Sequence, residues 1–129
     1  MKAIKFLGLA LLALAFAACS SSTPESVTKD MLTQLKKGDY EKIVNSMYFK
    51  KEMSKDDKAG MASLFKEKVQ PQIDQHEGIK SFEIGEVQLS EDGNSAVVAY
   101  TINYGDGTSK QDTNDVVKVD GKWMTSSGK

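Results

Sequence analysis

The sequence predicts an α+β domain: three N-terminal helices packed on a curved, four-stranded antiparallel meander. Three observations predict it. Apolar residues recur at helical spacing from Val27 to Val69, and the period changes to alternation at Ile79. Asp-Gly pairs at Asp92-Gly93, Asp106-Gly107 and Asp120-Gly121 then punctuate the alternating half every fourteen residues. Amphipathic helices followed by a sheet with one apolar face have an economical solution, in which the helices cover the sheet.

The first helix spans about Glu25 to Lys37, with Pro24 at its start and the stripe Val27, Met31, Leu32 and Leu35. Lys36-Lys37-Gly38 stops it, with cations on the negative end of the dipole and a glycine free to turn left-handed. Asp39 caps a second helix, whose stripe is Tyr40, Ile43, Val44 and Met47. Ser54 and Asp57 stand at capping spacing for a third, striped by Met61, Leu64, Phe65 and Val69. Pro71 removes a backbone donor and is expected to kink or break this helix near Val69-Gln70, leaving a last turn through Ile73.

Asp-Gly between alternating runs is a strong hairpin signal. The three pairs delimit strands at about Lys80 to Ser90, Ser95 to Tyr104, Thr108 to Val119 and Lys122 to Ser127. Phe82 and Ile84 share a face that Val87 and Leu89 join only after a one-residue slip, so Gly85-Glu86 is expected to be a bulge. Ala96, Val98, Tyr100, Ile102 and Tyr104 point one way. In the last two strands Val117, Val119 and Trp123 are the core candidates, because the other phase would bury Lys118 and Lys122.

Ahead of this domain, Lys2 and Lys5 precede the apolar run Phe6 to Ala18, which ends at Cys19, the only cysteine, and is followed by Ser20-Ser21-Ser22-Thr23. That order of parts is a secretion signal with a small-residue cleavage site. The run is too short to span a bilayer. Phe16-Ala17-Ala18-Cys19 resembles the lipobox of bacterial lipoproteins, with Phe16 where Leu is commonest. The resemblance implies a diacylglyceryl group on Cys19, cleavage by signal peptidase II just before it, and a place in the cell envelope. In a two-membrane host, Ser20 after the cysteine implies the periplasmic face of the outer membrane. A rival cut after Ala17 would release a soluble protein, but leaves an unpaired thiol on an exported chain. The expected organisation is a signal over 1–18, a lipidated cysteine and tether over 19–23, and one domain over 24–129.

Without Lys2 and Lys5 the mature part has 15 lysines against 18 acids, a net charge of −3, which argues against nucleic acid as a partner. The chain has no arginine, so the bidentate fork suited to phosphate is missing. With Cys19 lipidated no thiol is left for a disulfide or a thiolate metal site.

The lipobox, Gly38-Asp39-Tyr40 opening the second helix, the strand meander and the closing hairpin Val117 to Trp123 together resemble small bacterial lipoproteins. These belong to a domain of unknown function in the nuclear-transport-factor-2-like (NTF2-like), cystatin-like superfamily. The resemblance implies a curved sheet wrapped on helices, often around a pocket, and no single activity.

No constellation of ionisable groups stands out. His76, the only histidine, reads as part of a helix's last turn before Gly78. The acidic loop Asp106 to Asp115 lacks calcium-loop spacing and contains Lys110. Neither a metal nor a cofactor is expected. Isomerases of the superfamily use a carboxylate base with tyrosine donors; Asp115, on the parity of Val117 and Val119, is the candidate base, and Tyr100 and Tyr104 the candidate donors. The paired lysines of the helices alternate with acids, as on a solvated face. Met31, Met47 and Met61 fit either the core or an adaptable pocket with Phe65, Tyr100, Tyr104 and Trp123. The leading expectation is a non-catalytic domain, held to the membrane by lipid on Cys19, that binds a protein or a small apolar ligand. The alternative is an isomerase or dehydratase with its pocket inside the cone.

Overall fold

A computed structural model of the chain describes residues 22–127; the expected signal, Cys19 and the first part of the tether lie outside them. Helix α1 (Pro24–Lys37) begins where Thr23 and Ser26 cap each other. Ser26 N–H donates to Thr23 Oγ1 at 3.0 Å, and Thr23 N–H to Ser26 Oγ at 2.8 Å, so donors that the helix cannot use are satisfied. It ends on Gly38 in the left-handed region, whose N–H returns to the Gln34 and Leu35 carbonyls. Asp39 Oδ1 accepts from Lys42 N–H at 3.1 Å and starts the short α2 (Tyr40–Asn45).

The chain then makes a two-residue strand, β1 (Met47–Tyr48), where the stripe of the second helix was expected to run on through Met47. Helix α3 (Lys55–Gln75) is capped by Ser54, which accepts from Asp57 N–H at 3.1 Å. It runs unbroken through Pro71, against expectation. Pro71 and Glu67, whose carbonyl loses its donor, both lie on the exposed side, where water can take the missing bond. Leu64, expected on the buried stripe, is 54% exposed.

Strands β2 (Ile79–Leu89), β3 (Ser95–Tyr104), β4 (Ser109–Val119) and β5 (Lys122–Ser126) form the expected antiparallel meander. The sheet has five strands and not four, in the order β1-β5-β4-β3-β2, and it is mixed because β1 pairs parallel with β5. The β4–β5 turn has Asp120 at φ 52° and Gly121 at φ 79°, two left-handed residues as a tight hairpin requires. The expected bulge is present: two residues, Gly85 and Glu86, fall between the pairs Ile84↔Tyr100 and Val87↔Val98.

All helices cover one face. Helix α1 crosses β2 to β5, while α3 packs chiefly on α2. Leu32 joins Ile73, Ile102 and Tyr104 in one core cluster, and Tyr40, Ile43, Val44 and Ala62 make a second between helices. A third, around Ala96, Val98, Val116 and Trp123, packs against Val27 and Val87.

The phase of β4 is the reverse of the one expected. Asn114 and Val116 are buried, opposite Val98 and Ala96, whereas Val117 and Val119 alternate onto the other face. Pairing on both sides fixes this phase, since Val116 also stands opposite the buried Thr125. The lysine that seemed to forbid it escapes: Lys118 is exposed, its Nζ 5.8 Å from the centre of the Trp123 ring.

Candidate functional site

Helix α3 meets the sheet near its C-terminal end, through Ile73 beside Ile102 and Tyr104. The space left between the three helices and that half of the sheet is a cavity of about 320 Å³, within the usual range of small-molecule sites. Its apolar wall comes from Met31 and Leu35 of α1, Ile43 of α2, Met47 of β1, Phe65, Val69 and Ile73 of α3, and Ile102 of β3. Polar groups reach it from Tyr40, Gln72, Tyr100, Tyr104, Lys110, Asn114, Thr125 and Ser126.

The tyrosines, Asn114 and Thr125 have identifiable settings. Burial, reinforced by the charge of Asp112 and by Tyr104, pushes the Tyr100 hydroxyl up to about 12, so it is a neutral donor at physiological pH. Burial, with Asp74 as a lesser cause, likewise raises Tyr40, whose hydroxyl donates to Gln70 Oε1 at 2.8 Å. Asn114 Nδ2 donates to Thr28 Oγ1 at 3.1 Å and Thr125 Oγ1 at 3.2 Å, and Thr28 Oγ1 donates to the Pro24 carbonyl at 2.9 Å. This buried trio ties α1 to β4 and β5 beside the cavity.

At the far end Tyr104 stacks on His76, ring centres 4.7 Å apart. His76 Nδ1 lies 2.8 Å from Asp106 Oδ2 and 3.2 Å from Thr108 Oγ1, while Thr108 donates to Asp106 Oδ1 from its hydroxyl at 2.6 Å and its N–H at 2.9 Å. The Thr108 hydroxyl bond, then its N–H bond, then His76 hold the Asp106 carboxyl down at about 2. The cluster clamps the β3–β4 turn onto the end of α3, consistent with a histidine that finishes a helix.

Phe65, Tyr100 and Tyr104 all line the cavity. Trp123 does not; it belongs to the closed core cluster at the other end of the sheet. Asp115 stands exposed opposite Val97 on the face away from the helices, so it cannot serve the cavity as a base. Among the described residues no carboxylate lines the cavity. Asp112, opposite Tyr100 on the inner phase, is 47% exposed and lies 3.8 Å from Lys110 Nζ. Among the described residues no group of three or more His, Cys, Asp or Glu could hold a metal ion. Lys110, Asn114 and Thr125 were missed because polar residues at inward positions mimic the outer face of a strand.

The fold has a clear counterpart among solved structures. A Campylobacter jejuni protein provisionally named an NTF2-like transpeptidase superposes with a TM-score of 0.66 at 18% identity, over 81% of this chain and 98% of that one. This likeness shows the fold alone. A Xanthomonas campestris protein, provisionally a calcium/calmodulin-dependent protein kinase II association domain, gives 16% identity over 78% of each chain, and its TM-score of 0.37 carries no weight. No curated protein sequence matches the chain. Residues 17–126, from just before Cys19 to the end of β5, match the domain of unknown function DUF4878, and the chain belongs to that family.

Proposed function

We propose that the protein is a non-catalytic binding domain of the bacterial cell envelope, tethered to the membrane by lipid on Cys19, whose cavity takes a small apolar ligand. The observation that carries this reading is the cavity itself: eight apolar side chains wall it, two of them methionines able to repack around a guest. The isomerase or dehydratase alternative needs a carboxylate base beside a tyrosine. Tyr100 is there, but among the described residues no carboxylate lines the space with it, and Asp112, opposite Tyr100, is half exposed and faces Lys110.

The tether supports an orientation. Ser22 Oγ accepts from Trp123 N–H at 3.1 Å and Thr23 caps α1, so both belong to the domain. Only Ser20 and Ser21 separate a lipidated Cys19 from it, a reach of roughly 10 Å at ~3.5 Å per residue. The start of α1, Trp123 and the β4–β5 turn would then face the bilayer. Met31 and Leu35 would lie roughly 10–17 Å farther out along α1, at 1.5 Å per residue.

Titration of the full chain in neutral phospholipid nanodiscs with decanol, followed by NMR of ¹³C-labelled methionine methyls, tests the ligand site. Met31 and Met47 should shift together while Met124, on the opposite sheet face, stays in place. Equal shifts at all methionines, or none, would refute the reading.

A further inference from the structure

Resting on the reading of the cavity as a ligand site, we infer that its ligand is a small single-chain amphipath with one anionic head, and that Lys110 receives that head. Among the described residues Lys110 is the only charged one in the lining. It stands opposite Ile102 on the helix-covered face of the sheet, so its stem runs along the cavity while its ammonium, on a side chain 54% exposed, reaches the mouth. Among the described residues its one ionic partner is Asp112, at 3.8 Å, well beyond the 2.7–2.9 Å of a charge-assisted bond. Both side chains are about half exposed, so this contact is loose and open to competition.

Three ligand classes can be compared at this mouth. A cation would meet the Lys110 ammonium at the mouth, and the carboxylate beside it, Asp112, already faces that ammonium. A neutral apolar molecule would fill the wall but leave the ammonium without a partner from the guest. A carboxylate or similar anion would take the ammonium and lie on the same face as the neutral Tyr100 hydroxyl, a second donor. The volume bounds the tail: at ~30 Å³ per water-sized group the cavity holds about ten such groups, the size of a medium-chain fatty carboxylate.

Decanoate and decanol, equal in chain length and differing in charge, are the probes, read at Met31 and Met47 of the full chain in neutral nanodiscs at alkaline pH. Decanoate should saturate the shifts at a free concentration about tenfold lower than decanol, the worth of one hydrogen-bonded charge pair. Lys110→Gln should bring the two to parity without weakening decanol. Asp112→Asn, which frees Lys110, should widen the preference for decanoate. An unchanged Met61 methyl verifies that each variant is folded. Equal affinities in the wild type, or a preference that survives Lys110→Gln, would overturn the inference and leave the ligand site standing. Shifts with neither probe would overturn both.

Discussion

Asn114 shows how one side chain decides the interior of this protein. An amide at a buried strand position is tolerable only if its donors are used, and here they meet Thr28 and Thr125. Asn114→Ala should therefore cost about 2 kcal/mol, by leaving a void and depriving the two threonines of a partner. In a domain of this size that lowers the melting temperature by about 10 °C, readable by calorimetry. Asp106 makes a pH-dependent prediction. Its carboxyl is held at about 2 against an ordinary 3.8, so its contribution to stability is complete above about pH 4 and is lost as pH falls through 2. Asp106→Asn should flatten the stability profile across that window, as urea unfolding at stepped pH would register.

Among the elements, two glycines give opposite expectations. Gly60 is interior to α3, and a Cβ there meets nothing within 4 Å. Gly60→Ala should stabilise by about 0.5–1 kcal/mol through helix propensity alone. At Gly105 a Cβ would run into the Glu77 carbonyl, while its N–H donates to the Gly78 carbonyl at 2.9 Å. Gly105→Ala should destabilise by about 1–3 kcal/mol. The urea midpoints of the two variants should move in opposite directions. The hairpins and the bulge were legible in the sequence because Asp-Gly pairs and a slipped alternation state their geometry directly. Strand β1 was not, since two residues carry no period and its parallel pairing to Thr125 and Ser126 is a long-range event. Nor was the phase of β4, where Asn114 hides an inward position and Val117 adorns an outward one. Pro71 misled for a third reason: the rule against interior proline is weakest on a solvated helix face.

At the scale of the molecule, the α+β layering followed from the change of period, and the shared face of Tyr100 and Tyr104 from strand parity. The cavity's closure did not, because it depends on α3 resting on α2 and touching the sheet near one end. Its charged member was invisible for the same reason as Asn114. On the outer face of the sheet Val97 is 38% exposed, whereas Leu89, 61% exposed, pairs with Ala96 at the inner face's edge. The two ends of the domain differ: one is closed around Trp123 and lies beside Ser22, and the other holds the cavity and the His76–Asp106 clamp. A tether of two residues would turn the closed end to the bilayer and present the open one to the periplasm or exterior. That arrangement, and the reason for a ligand site near a membrane, depends on the sulfur of Cys19. The direct measurement is the partition of wild-type protein and Cys19→Ser between membrane and soluble fractions of the expressing cell. The wild type should sediment with membranes and resist high salt, and the folded domain of the variant should leave the membrane unless it is held back by an uncleaved leader, which its mass would reveal. A processed Cys19→Ser protein that stays with the lipids as the wild type does would contradict the account.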